Sequence, residues 1–308
     1  MKTYINRFSG QRILVTGASG FIGPHLCRAL DATAAEVHAV SRRAISISDK
    51  RFRWWQCDLS DMTAVRNLVD TIRPDLIFHL AAHNVGGRGL ELVLPTLHSN
   101  ITTTVNLLTV ATEIGCCRIV VAGTMEEPIS SGPDVVPSSP YAAGKWASSA
   151  YARMFNRLYQ TPVVITRIFM TYGPGEPNVN KIIPYVINSL LRKEPPKLSS
   201  GAREVDWIYV DDVVNGLIAS AEAPSIEGRT IDLGSGTLVS IRRVVETLCD
   251  IIGANVQPLF GSIPDRPMEQ VLIADTENTF SNIGWKPEIS LEQGLTNTVK
   301  WHRAKMKK

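Results

Sequence analysis

Apolar positions along the chain recur with two different periods. Short β-branched runs, "RILVT" (12–16), "EVHAV" (36–40), "DLIFHLAA" (75–82), "CRIVVAG" (117–123) and "PVVITRIF" (162–169), have the length and composition of buried strands. Between them lie stretches with apolar residues three or four apart: "FIGPHLCRAL", "MTAVRNLVDTI", "TLHSNITTTVNLLTVATEI" and "SPYAAGKWASSAYARMFNRLY". That spacing gives a helix one apolar face. Regular alternation of the two patterns predicts βα units and an α/β fold with a doubly wound parallel sheet.

From about Thr171 the texture changes. "YGPGEPN", "KEPPKLSSG" and "GSIPDRP" are Pro/Gly-rich loops between shorter elements, as in a smaller appended α/β domain. The expected division is 1–170 and 171–308. "DWIYVDDVVNGLIASA" reads as a strand followed by a helix, so about 206–232 is expected to rejoin the first sheet. No internal repeat or low-complexity stretch interrupts this order.

A chain of 308 residues with 44% apolar types can bury a sizeable core. Its net charge of +3 lacks the clustered basic footprint of a nucleic-acid binder, and a small-molecule partner is expected instead. The opening "MKTYINRFSG" has no apolar signal-peptide core, and no window has the apolar length of a membrane span, so a cytoplasmic protein without a membrane partner is expected. The five cysteines show no C-x-x-C spacing; reduced, mostly buried thiols and no metal site are expected. The basic ending "WHRAKMKK" suits a helix carboxyl terminus, whose dipole favours cations.

"VTGASGFIG" sets Gly17, Gly20 and Gly23 between the first strand and the first helix. Glycine there lets backbone amides approach a pyrophosphate, so the expected sheet is a dinucleotide-binding Rossmann fold, with Ser19, Phe21 and Ile22 in the same cradle. At the end of the second strand an acid would bind ribose hydroxyls, whereas arginine accommodates an additional phosphate. The chain offers Ser41, Arg42 and Arg43 and no acid, which points to NADP(H) in preference to NAD(H), with NAD(H) still open. Solvated surface arginines are the plainer alternative. Asp58 in "CDLSD" is placed to accept a hydrogen bond from an adenine amino group, or to cap the next helix.

In "YAAGK", Tyr141 and Lys145 are four apart, so a helix puts both on one face, where the cation favours the phenolate. The pair alone is a weak pattern. It gains weight from "VVAGTMEEP", where Thr124 presents a hydroxyl at the strand edge at which α/β sheets bind ligands. Of Glu126 and Glu127, one is placed to act as a base for carbon–hydrogen chemistry, with a surface loop carboxylate as the default.

The ordered set "TGASGFIG", "CDLSD", "PDLIFHLAA", "GTMEE", "YAAGK", "RIFMTYGPG", "DWIYVDDVV" and "DRP…ADT…GWKP" resembles the extended short-chain dehydrogenase/reductases, the NAD-dependent epimerase/dehydratase family acting on nucleotide-sugars, over nearly the whole chain. The resemblance implies a catalytic set of Thr124, Tyr141 and Lys145, with Glu126 as a further acid/base, and Lys145 also on the nicotinamide ribose. It implies that Asp58 and Leu59 border the adenine, that Leu80, Ala81 and Ala82 line the cofactor cleft, and that Phe169 lies on the nicotinamide side. Arg266 matches an arginine on the nucleotide diphosphate.

Two positions depart from the family pattern. Met170 stands where relatives commonly carry asparagine, and Val205 where many carry arginine; Arg203, two residues away, is the expected substitute on the substrate. The "SRR" and "GTMEE" motifs look most like nucleotide-4-keto-6-deoxyhexose reductases. The first expectation is therefore reduction of a sugar C4 ketone with Tyr141 as acid. The alternatives are a nucleotide-sugar epimerase or 4,6-dehydratase with tightly bound NAD(P), and a non-catalytic NADP(H)-sensing or RNA-associated protein on the same fold. Met125 disfavours dehydration by an aspartate-dependent route, since a thioether cannot donate a proton. A homodimer through the helices at about 97–114 and 140–159 is also implied.

Overall fold

The computed structural model describes residues 7–45, 52–129 and 134–306. Two sheets carry the chain. The larger has seven strands in the order β3-β2-β1-β4-β5-β6-β9: β1 (Arg12–Thr16), β2 (Glu36–Ser41), β3 (Arg53–Gln56), β4 (Leu76–His79), β5 (Arg118–Thr124), β6 (Val163–Ile168) and β9 (Thr230–Leu233). Neighbouring strands from β3 through β6 pair in parallel. Strand order reverses between β1 and β4, the point at which open parallel sheets bind ligands. This is the Rossmann layout expected from the alternating pattern. The smaller sheet is β10-β8-β7, from β7 (Met170–Tyr172), β8 (Glu204–Tyr209) and β10 (Leu238–Ser240).

The helices are α1 (Ile22–Asp31), α2 (Met62–Ile72), α3 (Val93–Thr96), α4 (Thr103–Glu113), α5 (Pro140–Tyr159), α6 (Ile182–Leu191), α7 (Val210–Glu222), α8 (Ile241–Ile252), α9 (Thr276–Ile283) and α10 (Leu291–Met306). Local chemistry fixes their ends. The Asp61 carboxylate accepts from the amides of Thr63 at 2.8 Å and Ala64 at 3.2 Å, so α2 starts there, and Arg73 closes it in the left-handed region. Ser139 caps α5 through the Ala142 amide at 3.1 Å, with Pro140 in the first turn. Apolar faces of α2, α4 and α5 close one core over the large sheet, where Leu68, Leu107 and Phe155 meet Ile77, Ile119 and Ile165.

The chain divides into two compact units. One holds Met1–Ile168, Val214–Ile231 and Asn282–Gly284; the other holds Phe169–Val213, Asp232–Ser281 and Trp285–Lys308. Of the segment expected to rejoin the first sheet, the strand does not, because β8 pairs with β7 and β10 in the small sheet, whereas Val214–Ile231 falls in the first unit and β9 takes the edge beside β6. From Val205 onward β8 is buried on both faces as the middle strand of the small sheet, so its run reads like a strand of the large one, while its partners are only three residues long. The helix expected from about 97 also differs. It begins at Val93, and Leu97–Thr102 is a π-helical segment that precedes α4. Lys307 and Lys308 of the basic ending lie outside the described residues.

Candidate active site

The tip of β1 is the first component. Gly17 has φ +67°, and a Cβ on it would stand 2.7 Å from the Ala81 nitrogen. Only glycine lets β1 and the residues after β4 meet this closely. The Thr16 hydroxyl accepts from the Ala81 amide at 3.3 Å and bonds His79 Nδ1 at 2.8 Å, so the two strand ends are tied at the switch point. A Cβ on Gly23 would collide with the Gly17 carbonyl and Ala18. The first turn of α1 has neither a side-chain cap nor an acidic residue, and Ser19 and Gly20 are exposed before it. A helix amino terminus without a side-chain cap, behind a glycine turn, is a fit for an anionic pyrophosphate.

At the end of β2, Ser41 is buried and its hydroxyl receives bonds from Ser19 Oγ and the Arg43 amide, both at 3.2 Å. Arg42 and Arg43 are exposed. Asp58 accepts from the Ser60 amide at 3.0 Å and hydroxyl at 2.8 Å, which holds its carboxyl below the usual range, with Arg42 adding to the effect. It does not cap α2; Asp61 does. Leu59 is buried in the core, and its carbonyl accepts from Asn106 Nδ2 at 3.0 Å. Leu80, Ala81 and Ala82 are partly buried, the first two beside Gly17.

The chemical groups converge at the end of β5 and the start of α5. Thr124, Tyr141 and Lys145 are all buried. The Thr124 hydroxyl is hydrogen-bonded to the Tyr141 phenol; burial and then the Glu126 charge push that phenol well above its usual range. Lys145 Nζ donates to the Ala122 carbonyl at 2.6 Å, and burial lowers its pKa to about 8. His79 lies beneath, between the Thr16 and Thr104 hydroxyls, and burial together with the Lys145 charge lowers it to about 3, so the imidazole is neutral. The phenol is thus protonated, and Lys145 follows it one turn along α5.

Two neighbours escaped sequence reasoning, and a third was misplaced by it. Asn100, in the π-helical segment, accepts from the His83 amide at 2.7 Å through Oδ1, and its carbonyl accepts from Ser148 at 2.9 Å and Thr104 at 2.6 Å. Its Nδ2 is buried without a hydrogen-bond partner among the described residues. His79 sat inside an apolar strand and gave no polar signal. Glu127, expected by default as a surface loop carboxylate, is buried, whereas Glu126 is half-buried.

The remaining candidates belong to the second unit. Phe169 is buried against Gly234. Val205 is a fully buried strand residue, and Arg203 is engaged with Glu269 at 3.1 Å and the Gln270 carbonyl at 3.2 Å. Arg266 is exposed. Asp206 accepts four bonds, from Ser235 N and Oγ, Gly236 N and Ala274 N, at 2.6 to 3.0 Å. Among the described residues no group of His, Cys, Asp and Glu could hold a metal ion, and no helix is long and apolar enough to cross a membrane.

Residues 13–234 match the model of the NAD dependent epimerase/dehydratase family. A UDP-glucuronate 4-epimerase of Thermodesulfobacterium geofontis is 29% identical over 94% of this chain and 95% of its own. A dTDP-glucose 4,6-dehydratase of Haemophilus influenzae is 27% identical over 94% and 97%. The structure of UDP-glucuronic acid 4-epimerase from Bacillus cereus, in complex with UDP-glucuronic acid and NAD, superposes with a TM-score of 0.84 at 26% identity, covering 95% of this chain and 99% of that one. These relatives are named for epimerisation and dehydration, whereas the motifs had pointed first to a reductase. The cradle at β1, the Tyr141 and Lys145 pair and these likenesses together place the chain in the NAD dependent epimerase/dehydratase family, extended short-chain dehydrogenase/reductase enzymes of nucleotide-sugar metabolism that work with NAD(P).

Proposed function

We propose that the protein inverts C4 of a nucleotide hexose through a transient 4-ketone. The observation that carries this reading is the buried set of Thr124, Tyr141 and Lys145, hydrogen-bonded at the end of β5. As the phenolate, which the Lys145 ammonium stabilises, Tyr141 accepts the C4 hydroxyl proton on oxidation and, as the phenol so formed, returns it on reduction; Thr124 orients that hydroxyl. The nicotinamide, when bound, supplies the acceptor and donor of the C4 hydrogen. Epimerisation asks for no acid beyond Tyr141. Dehydration needs a further donor for the departing hydroxyl: Met125, 2% exposed, supplies none, so that route would fall to the half-buried Glu126 alone. Arg266, exposed, keeps the diphosphate role that the family resemblance gives it, and Arg203 is engaged by Glu269.

A reductase is the second reading, favoured by one observation: β2 ends in Ser41 and two exposed arginines, which suits NADPH, a cofactor spent in net reduction. The test incubates the protein with UDP- and dTDP-hexoses and follows products by proton NMR, in parallel with NADPH and NADH absorbance in the presence of nucleotide-4-keto-6-deoxyhexoses. A C4 epimer formed without net cofactor change supports the first reading. Steady NADPH consumption replaces it with the second. Tyr141→Phe should abolish either turnover while cofactor binding persists.

A homodimer is proposed as well. Leu90, Leu94, Trp146, Tyr151 and Leu158 form exposed apolar positions on the segment leading into α4 and on α5, suited to a second copy of the chain. Sedimentation velocity reads the mass directly, and a monomer at micromolar concentration refutes it.

A further inference from the structure

A buried carboxylate that the mechanism above does not use lies behind the end of β5. Glu127 is 4% exposed, and its Oε1 accepts from the Thr124 amide at 2.8 Å. Space for it exists because residue 123 is glycine: a Cβ there would stand 2.6 Å from the same Oε1 and 3.2 Å from Ile165 Cγ2. A side chain held in this way is fixed at both ends by the turn it spans.

We propose that Glu127 is a positioning residue of the active site: it holds the Thr124 backbone in place and supplies the fixed negative charge that offsets the Lys145 ammonium. The inference rests on the reading of Thr124 and Lys145 as catalytic. Three charged or titratable groups interact with it, Lys145 and Tyr141 from α5 and Arg167 from β6, and the adjacent Glu126 acts on Tyr141. Burial is the largest effect on the Glu127 carboxyl and leaves it above its usual range, while the Ser149 hydroxyl, the Thr124 amide, Lys145 and Arg167 act in the opposite sense and favour its charged form. For Lys145 the largest effect is burial, which lowers it, and the Glu127 charge is what opposes that lowering. Removing this charge while keeping the side-chain shape should leave the lysine neutral over a wider pH range.

The experiment labels the full chain with lysine carrying carbon-13 at Cε and titrates it by NMR, with the Lys145 signal assigned from its loss in Lys145→Met. In the unaltered protein the midpoint is expected near 8. In Glu127→Gln it should fall by about half a pH unit or more, and Glu127→Asp, which restores the charge, should bring it back toward the original value. An unchanged midpoint in folded Glu127→Gln overturns the proposal. If Glu127→Gln does not fold, carbon-13 at Cδ of glutamate in the unaltered chain gives the answer: the Glu127 signal should carry an inflection at the Lys145 midpoint, and its absence refutes the coupling. None of these readouts requires a substrate, so they separate failure of this inference from failure of the epimerase reading. Where turnover is found, the alkaline limb of its pH profile should shift with the lysine.

Discussion

Gly17→Ala tests the claim that the cofactor cradle depends on close backbone approach. Two costs arise at this residue. At φ +67° an alanine is strained by about 1–2 kcal/mol. Its Cβ would also lie 2.7 to 2.9 Å from the Leu80 carbonyl carbon and from the Ala81 nitrogen and Cα, all backbone atoms tied to Thr16, so they cannot swing aside as a side-chain end would. Overpacking of this kind costs about 1–3 kcal/mol more. Gly10 separates the two effects, because it shares the left-handed conformation at φ +76° and has nothing within 4 Å of a built Cβ. Urea unfolding of both variants, followed by circular dichroism, should show Gly10→Ala losing about 1–2 kcal/mol and Gly17→Ala about 2–5 kcal/mol. NADH and NADPH binding, followed by cofactor fluorescence, should weaken only in Gly17→Ala. Equal losses of stability, or unchanged binding in Gly17→Ala, would refute the close-approach argument.

Replacing Arg42 and Arg43 together by glutamate should weaken NADPH about a hundredfold and NADH by only a few fold, from the roughly 1.5–3 kcal/mol of each charge-assisted bond to phosphate; equal weakening removes the arginines from cofactor choice. Burial lowers Lys145 to about 8, so below that pH the folded protein carries the cost of a buried cation. Between pH 8 and the unfolded value of 10.5 the folded state releases this proton first, and stability rises. Thermal midpoints should therefore rise relative to Lys145→Met from pH 8 to 10, and a flat difference disproves the buried charge. Asp206→Asn turns an amide group toward donors that now meet a carboxylate, and should cost about 3 kcal/mol or more in urea unfolding. A loss under about 1 kcal/mol would mean that the four bonds contribute little.

Legibility in the sequence followed the range of the interaction. "RILVT" and "MTAVRNLVDTI" correspond residue for residue to β1 and α2, because strand composition and the Asp61 cap act within a few residues. Tyr141 and Lys145 were equally readable, since a spacing of four on a helix is local geometry. Three things were not. β7 and β10 are too short to carry a period, so the destination of β8 was misread. Arg203 meets Glu269 and Gln270 across more than sixty residues, and nothing near it announces that partnership. Glu127 looks like any acid in a polar turn, and its burial follows from a glycine four residues earlier and a strand from elsewhere in the sheet.

The wide turn at Leu97–Thr102 makes chain length itself a variable in the design of this site. A π segment absorbs a surplus residue within one turn, so the helical stretches before and after it keep the orientation they would have in an unbroken α-helix. Removing a single residue from an ordinary helix swings everything beyond it by about 100°. Here the same removal would let the segment tighten while Leu107, Leu108 and Ala111 still face the core. What it would erase is the placement of Asn100, whose carbonyl meets both Ser148 and Thr104. At this point in the chain, shortening by one residue would displace Asn100 while leaving the helical scaffold intact.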